Sequence, residues 1–304
     1  MSSSAQARVR VRVPAKVNVQ LGVGGLRPDG FHGLANVFLA VGLYDEVTVT
    51  AADRLTVTCS GPDADQVPLD ATNLAARAAA VLAERHGLGA PRVHIHIDKG
   101  IPVAGGMAGG SADGAGALVA CDALWGTGAS RDELLEICAE LGSDVPFSLV
   151  GGAALGRGRG ELLTPLPVGG TFHWVFAVAE GGLSTPAVYA ECDRLRGDLV
   201  IPEPDAAAAV LDALRAGDAA ALAAAVCNDL QDAALSLRPS LARTLAVGTG
   251  AGALAGMVSG SGPTTAFLTK DEQDADRVAE ALRISGTCRA VRVAAGPVPG
   301  AVVL

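Results

Sequence analysis

The sequence predicts an α+β protein made of two halves, each with a sheet layer and a helix layer. Alternating apolar segments, typical of β-strands, are interspersed along the 304 residues with Ala-rich segments that carry apolar residues at helical spacing. Half of the residues are hydrophobic, which is enough for packed cores. Prolines and glycines in residues 161–170 interrupt the pattern, so we expect one domain over residues 1–163 and a second over residues 164–304.

Strands dominate the start of the first half, and helices follow them. In chain order we expect strands over 8–21, 38–50 and 55–60, a helix over 73–86, a strand over 93–98, helices over 114–124 and 131–141, and a strand pair over 153–160.

The second half alternates strands with Ala-rich helices. The pattern predicts a strand over 174–179, helices over 187–196, 206–215 and 219–234, strands over 257–269, a helix over 271–284 and a strand over 290–294.

A glycine-rich turn, residues 102–113 (PVAGGMAGGSAD), joins a predicted strand to a predicted helix. Glycines tolerate positive φ and let backbone N–H groups approach an anion, while the helix points its positive dipole end at the turn. We expect Ser111 to cap that helix and to be able to reach a phosphate or a metal. Asp113 could likewise reach a phosphate or a metal, or it could cap the helix. The turn matches neither a Walker A loop nor the GxGxxG pattern, and tight packing alone is the alternative explanation.

Composition excludes several classes of partner. A net charge of −9 without any Lys/Arg-rich run argues against nucleic acid. No apolar run approaches the ~20 residues of a spanning helix and the N-terminus lacks an apolar signal segment, so we expect a cytoplasmic protein without a membrane partner. Six widely spaced cysteines predict buried thiols in a reducing compartment. His94 and His96 would face one side of a strand, as a metal pair or as ordinary strand residues.

A polar pair and a carboxylate are candidates for catalysis. Lys16 and Asn18 lie two residues apart on a predicted strand and hence on one face. Asp144 follows a predicted helix and could be either a turn former or a general base. If Lys16 lay within reach of Asp144, its charge would help keep that carboxylate ionised at a substrate hydroxyl.

Two further turns could contact a ligand. Residues 259–263 (SGSGP) are small enough to allow backbone contact with a ligand or with the glycine-rich turn, although a plain hairpin turn has the same composition. Residues 27–34 place Phe31 beside His32, a pair suited to stacking on a planar heterocycle and to hydrogen bonding with its edge.

Three motifs, residues 14–18 (PAKVN), 102–113 and 259–263, resemble in order and spacing those of the GHMP small-molecule kinases. The resemblance covers nearly the whole chain and implies a two-domain α+β fold, each domain a mainly antiparallel sheet packed against helices. It also implies phosphoryl transfer from ATP with Mg²⁺. Residues 29–32 (DGFH) and 142–147 (GSDVPF) are most similar to the members that phosphorylate the 2-hydroxyl of 4-diphosphocytidyl-2-C-methyl-D-erythritol in the non-mevalonate isoprenoid pathway.

The resemblance implies a role for each catalytic and phosphate-binding candidate. Asp144 would deprotonate the substrate hydroxyl, and Lys16 would orient Asp144 and stabilise the transferred phosphoryl group. Ser111 would contact Mg²⁺ or phosphate. The ATP phosphates would be wrapped by Pro102, Val103, Ala104, Gly105, Gly106, Met107, Ala108, Gly109, Gly110, Ser111 and Ala112.

The acceptor, a small molecule linked to cytidine diphosphate, would bind four other residues. Phe31 and Tyr189 would sandwich the cytosine, His32 would bind its edge, and Asn18 would lie near polar groups of the substrate. Tyr189 is assigned from a short match at residues 184–189, and Phe31 replaces the tyrosine usual in the family, keeping the ring without its hydroxyl.

Three alternatives differ in what they require. Another GHMP kinase, acting on homoserine, mevalonate or a sugar, would have no nucleobase to stack on Phe31. A nucleotide-binding module without catalysis would not need both Lys16 and Asp144. A purely structural glycine-rich fold would need none of the three motifs. The sequence carries no signal for the oligomeric state.

Overall fold

Two mainly antiparallel sheets with packed helices form the molecule, so the predicted α+β class is confirmed. The structure is a computed structural model that describes residues 7–304. The elements that precede residue 166 are β1 (Arg8–Leu26), β2 (His32–Ala51), β3 (Thr56–Ser60), a 3₁₀ turn (Ala64–Gln66), α1 (Leu74–Arg85), β4 (Val93–Asp98), α2 (Gly109–Trp125), α3 (Arg131–Leu141), α4 (Val145–Val150), β5 (Ala153–Arg157) and β6 (Leu162–Pro165).

The elements after residue 166 alternate in a similar way. They are β7 (Phe172–Val178), α5 (Thr185–Arg196), α6 (Ala208–Ala216), α7 (Ala219–Ala225), β8 (Cys227–Asn228), α8 (Gln231–Leu237), α9 (Ser240–Gly250), β9 (Ala255–Val258), β10 (Thr265–Thr269), α10 (Glu272–Ser285), β11 (Ala290–Gly296) and β12 (Val302–Val303). None of the helices formed by residues 7–304 combines the length and apolarity that crossing a bilayer requires.

The first sheet has the order β12-β1-β2-β4-β3, with β5 and β6 continuing from β2 and β8 pairing with β1. The antiparallel pair β1–β2 forms its centre, and α2 packs across both strands. The register shifts after Pro14, which has no N–H to donate to the ladder. The second sheet has the order β11-β7-β10-β9 and is covered by α9 and α10.

The two sheets share one apolar core. The same buried cluster contains Val37 and Leu39 of β2 and Trp174 and Phe176 of β7. In addition, β8 and β12 come from the second half of the chain but pair with β1. The division between residues 163 and 164 is therefore not a division between separate cores.

Several predicted bounds are wrong for identifiable reasons. β2 begins at His32, six residues earlier than predicted, because the turn between β1 and β2 is confined to residues 27–31. The predicted helix over 219–234 is interrupted at β8, where the chain extends to pair with β1. α4 and α9 are absent from the prediction. The strand pair predicted over 153–160 is formed by β5 and β6, but β6 lies beyond residue 160, across a turn at residues 158–161.

Candidate active site

One cleft of about 750 Å³ brings ten of the seventeen predicted site residues together. It lies between the glycine-rich turn, the ends of β1 and β2, and the start of α5. Its lining includes the seven individually predicted residues, which are Lys16, Asn18, Phe31, His32, Ser111, Asp144 and Tyr189. From the predicted phosphate-binding segment it also includes Ala104, Gly106 and Ala108. The other seven predicted residues, all from the same segment, do not line the cleft: Pro102, Val103, Gly105, Met107, Gly109, Gly110 and Ala112.

The predicted phosphate-binding segment, residues 102–112, is divided by the start of α2 at Gly109. The loop before the helix, residues 100–108, is called the phosphate loop after its predicted role. Left-handed backbone conformations at Ala104, Gly106 and Ala108 shape it, with φ values of 52°, 71° and 62°. A Cβ on Gly106 would come within 2.1 Å of the Ser259 carbonyl oxygen, so a side chain is excluded there by space as well as by backbone strain. Strained non-glycine conformations cluster at functional sites. The loop backbone is therefore held in a conformation that its sequence does not favour.

Helix α2 begins at Gly109, with Ala108 in the N-cap position. The predicted capping role of Ser111 is therefore wrong, since Ser111 is the third residue of the helix. Its side chain instead lines the cleft. The backbone N–H groups in the first turn of α2 have no partners inside the helix, and such N–H groups at a helix N-terminus stabilise a bound anion.

The turn at residues 259–263 packs directly against the phosphate loop. Ser259 Oγ donates a hydrogen bond to the Gly106 carbonyl oxygen (3.2 Å). Asn228 Nδ2 donates to the carbonyl oxygens of Val258 and Gly260, both at 2.8 Å, which holds the turn in place. The residues between β9 and β10 are thus a hairpin turn that also supports the loop, so the two interpretations of this motif are compatible.

Lys16 and Asp144 meet in the cleft. Lys16 Nζ lies 3.4 Å from Asp144 Oδ2, and the lysine side chain is 6% exposed whereas the aspartate side chain is 31% exposed. Asp144 precedes α4 but makes no side-chain cap, which leaves its carboxylate free to face the cleft. The arrangement couples a buried cation to a carboxylate that a ligand can reach.

Asn18 extends this pair into a buried polar row. It accepts a hydrogen bond from Lys16 Nζ (2.7 Å) and donates to Asn36 Oδ1 (2.6 Å). Sequence reasoning missed Asn36, which stands on β2 with no motif around it. The row gives the lysine ammonium a hydrogen-bond partner in addition to the carboxylate.

The other end of the cleft is aromatic. The rings of His32 and Tyr189 lie 5.1 Å apart at 32°, and Phe31 is half exposed at the same end. His32 Nε2 is 2.9 Å from Asp193 Oδ1. Sequence reasoning missed Asp193, although its spacing of four from Tyr189 on α5 places both on one helix face. Burial, and then the charge of Asp144, raise the pKa of the Tyr189 hydroxyl.

A buried charge cluster lies beneath the phosphate loop. Lys99 Nζ contacts Asp45 Oδ2 at 2.5 Å and Asp113 Oδ2 at 2.8 Å, and Asp45 Oδ1 accepts from the N–H groups of Gly100 and Ile101. The expectation that Asp113 reaches a phosphate or metal is wrong, because its side chain is buried against Lys99. Lys99 is one of three lysines and directly precedes the loop, a signal that sequence reasoning could have used.

Burial, opposed by the Lys99 charge and reinforced by that of Asp45, raises the pKa of Asp113 to about 8. Its Oδ1 has no hydrogen-bond partner among residues 7–304. The cluster ties the first residues of the loop to the first turns of α2.

Other polar candidates lie away from the cleft. His94 and His96 face one side of β4, where hydroxyls of Thr56, Thr58 and Ser60 meet their ring nitrogens at 2.9–3.1 Å. The described residues contain no group of three or more His, Cys, Asp or Glu side chains placed to hold a metal. The six cysteines are unpaired. The expectation that all of them are buried is wrong, since Cys227 is exposed at the start of β8, just after α7 ends.

Comparisons with known proteins cover the whole chain. Residues 73–152 match the model for the GHMP kinases N terminal domain, and residues 210–288 match the model for the GHMP kinases C terminal. A 4-diphosphocytidyl-2-C-methyl-D-erythritol kinase of Streptomyces avermitilis is 75% identical over 97% of this chain and 99% of its own length.

Two solved structures are similar as well. A crystal structure of 4-(cytidine 5'-diphospho)-2C-methyl-D-erythritol kinase is 32% identical, with a TM-score of 0.76 over 94% of this chain and 98% of that one. A homoserine kinase from Cytophaga hutchinsonii is 21% identical, with a TM-score of 0.75 over 100% of this chain and 99% of that one. At that identity the second likeness shows the fold alone.

Proposed function

We propose that this chain, which belongs to the GHMP kinase family, transfers the γ-phosphoryl group of ATP to the 2-hydroxyl of 4-diphosphocytidyl-2-C-methyl-D-erythritol. Membership of the family makes the protein an ATP-dependent small-molecule kinase, which removes the non-catalytic and purely structural alternatives. The relative that is 75% identical carries the name of a kinase for this acceptor.

The observation that carries the proposal is that the cleft is different at its two ends. The Lys16 N–H donates to the Met107 carbonyl oxygen of the phosphate loop (3.3 Å), and Asp144 lies beside Lys16. Phe31 and His32 lie at the turn between β1 and β2, farther along the β1–β2 ladder from Lys16, and Tyr189 packs beside His32. An acceptor with a reactive hydroxyl at one end and a nucleobase at the other fits such a cleft. Homoserine or mevalonate would leave the aromatic end without a partner.

In the proposed reaction Asp144 accepts the proton of the substrate hydroxyl as the oxygen attacks the γ-phosphorus. The bond between the γ-phosphorus and the bridging oxygen of ATP breaks, and ADP leaves with that oxygen. Lys16, held by Asn18, orients the carboxylate and places positive charge beside the transferred group. The loop N–H groups and the first turn of α2 stabilise the negative charge of the phosphates. Positioning and charge stabilisation supply most of the rate enhancement in such transfers.

Mg²⁺ fits this site as a companion of ATP rather than as a resident ion. Mg²⁺ usually keeps several waters and takes few protein ligands when nucleotide phosphates are present. The Ser111 hydroxyl lines the cleft at the start of α2, whereas the Asp113 carboxylate is engaged with Lys99. Ser111 is therefore the proposed protein ligand, and the ion would supply charge neutralisation on the phosphates.

Two further expectations, on the domain division and on the cellular compartment, complete the proposal. We retain residues 1–163 and 164–304 as the two domains, each contributing one wall of the cleft, with the phosphate loop on the first and α5 on the second. We also retain the cytoplasm as the compartment, because six unpaired cysteines suit a reducing environment.

The test is ADP release by the purified protein with ATP and Mg²⁺. Four acceptors are compared in parallel: 4-diphosphocytidyl-2-C-methyl-D-erythritol, the same compound without cytidine, homoserine and mevalonate. We expect turnover with the first alone. Equal turnover without the cytidine would contradict the nucleobase site, and turnover with homoserine or mevalonate would contradict the acceptor.

A further inference from the structure

Arg159 lines the cleft but belongs to none of the three motifs. We propose that its guanidinium binds the diphosphate that links the cytidine to the sugar alcohol of the acceptor, an inference that rests on the proposed function. Four features of the structure support this assignment: a fixed backbone, free donors, a position between the two ends of the cleft, and the distribution of charge in the cleft.

A tight turn between β5 and β6 presents Arg159. Gly158 and Gly160 flank it with φ values of 73° and 113°, a region that favours glycine. The Gly160 N–H donates to the Arg157 carbonyl oxygen (3.0 Å), and the Leu34 N–H donates to the Gly158 carbonyl oxygen (3.0 Å). The turn is thus closed on itself and tied to β2, so the Arg159 backbone is fixed at the rim of the cleft.

Most of the Arg159 donors are free to meet a ligand. A guanidinium carries five N–H donors. Within residues 7–304 its polar contacts are both long, with Nη2 at 3.5 Å from the Ala139 carbonyl oxygen and Nε at 3.7 Å from Glu161 Oε1. The side chain is 37% exposed. It can therefore turn a planar pair of donors toward an anion without breaking a strong hydrogen bond.

Arg159 also stands between the proposed base site and the proposed reaction site. Its Cζ lies 5.4 Å from the centroid of the Phe31 ring. On the other side Gly160 adjoins Ser143, the residue before Asp144; a Cβ on Gly160 would come within 3.9 Å of Ser143 Cβ. In the acceptor the diphosphate separates the cytosine from the reacting hydroxyl, and Arg159 occupies the corresponding part of the cleft.

The charges in the cleft leave this role to Arg159. Among the residues that line it, Lys16 and Arg159 are the lysines and arginines. Lys16 is paired with Asp144, which lines the cleft, whereas the acidic partner of Arg159 is Glu161, which lies at 3.7 Å and does not line it. The chain as a whole has a net charge of −9, so a diphosphate needs a local cation. Arginine suits phosphate oxygens because its fork donates two parallel charge-assisted hydrogen bonds.

The experiment compares the binding of cytidine, CMP and CDP to the wild type and three variants by titration calorimetry. The variants are Arg159→Gln, Arg159→Lys and, as a matched control, Arg157→Gln. Arg157 lies two residues away with its Nη2 on Asp205 Oδ1 at 2.7 Å, and it does not line the cleft. Kinetics with the full acceptor accompany the binding data.

We expect Arg159→Gln to weaken CDP binding by about tenfold or more and to leave cytidine binding unchanged, since charge-assisted bonds are lost only with the phosphates. Arg159→Lys recovers part of the loss, and Arg157→Gln behaves as the wild type. In turnover Arg159→Gln raises KM for the acceptor while kcat and KM for ATP stay the same.

Other results would overturn the assignment. An equal loss for cytidine and CDP would place Arg159 on the base stack, through Phe31, rather than on the phosphates. Unchanged CDP binding in Arg159→Gln would remove it from the site altogether while leaving the proposed function intact. A wild type that binds neither cytidine nor CDP would refute the proposed nucleobase site and this inference with it.

Discussion

Replacing Asp144 by asparagine removes the proposed base while keeping the size and polarity of the side chain. Asparagine cannot accept the hydroxyl proton, so the reaction loses general-base assistance worth roughly 10²–10⁴-fold, or about 3–5 kcal/mol of barrier. The ion pair with Lys16 is also lost, but the carboxylate is 31% exposed, so we expect the free energy of unfolding to change by no more than about 1 kcal/mol.

The effect on ATP should be small. Asp144 stands before α4, whereas the phosphate loop is held by side chains of Ser259 and Asp45 and by the Lys16 N–H, which donates to the Met107 carbonyl oxygen. We therefore expect binding of a non-hydrolysable ATP analogue to change by less than about threefold. A large loss of kcat with little change in nucleotide binding or in Tm would separate a chemical role from a structural one.

The assay is ADP release at saturating ATP, Mg²⁺ and acceptor, with analogue binding and thermal unfolding measured on the same preparations. Asp132→Asn is the matched control, since it makes the same change at an exposed position in the first turn of α3. Turnover by Asp144→Asn within about tenfold of the wild type would refute the assignment of Asp144 as the base.

Three further predictions concern the lysine, the loop and the cluster beneath it. Lys16→Met should lower kcat by about 10²-fold or more. Lys16→Arg should have a similarly low kcat, because the longer, planar guanidinium does not fit so buried a position. A wild-type kcat in either variant would contradict this. Gly106→Ala should weaken binding of an ATP analogue and lower Tm, because its Cβ would collide with the Ser259 carbonyl oxygen; unchanged values would refute it. The pKa of Asp113 is about 8 in the folded protein and near the ordinary value of 3.8 in the unfolded chain. Between these pH values the folded state binds more protons than the unfolded state, so its stability falls as pH rises. In urea unfolding at pH 5 to 8, Asp113→Asn should remove a decline of up to about 1.4 kcal/mol per pH unit, and equal pH dependence in the two proteins would contradict it.

The parts of the fold that the sequence predicts best are those where local pattern and packing agree. β4 and α3 have the predicted bounds because alternation and helical spacing are uninterrupted there. The start of α2 is predicted too late, because glycines lower helix propensity and the packing of the helix on β1 and β2 overrides it. The break at β8 depends on a pairing with β1 from more than two hundred residues earlier, and no local pattern reports that.

The residues of the candidate site also differ in whether local sequence alone can predict them. Lys16, Asp144 and the loop lie in compact motifs, so a few consecutive residues are enough to propose a role for each of them. Lys99 and Asp45 are 54 residues apart and meet only after β2 and β4 pair. The local sequence around Asp113 suggests a phosphate ligand, but its side chain is bound by Lys99, the residue that follows β4.

The fold alone does not decide which acceptor this kinase uses. The homoserine kinase has almost the same TM-score to this chain as the cytidine-diphosphate methylerythritol kinase, 0.75 against 0.76, although it is only 21% identical. A shared fold therefore leaves the acceptor open, and selectivity has to come from the side chains that line the cleft. In this chain we propose that those are Phe31, His32 and Tyr189 at the aromatic end and Arg159 between the ends. Changes there should alter KM and acceptor choice, whereas changes at Lys16 and Asp144 should alter kcat for any acceptor, so the two groups of residues are separable by kinetics.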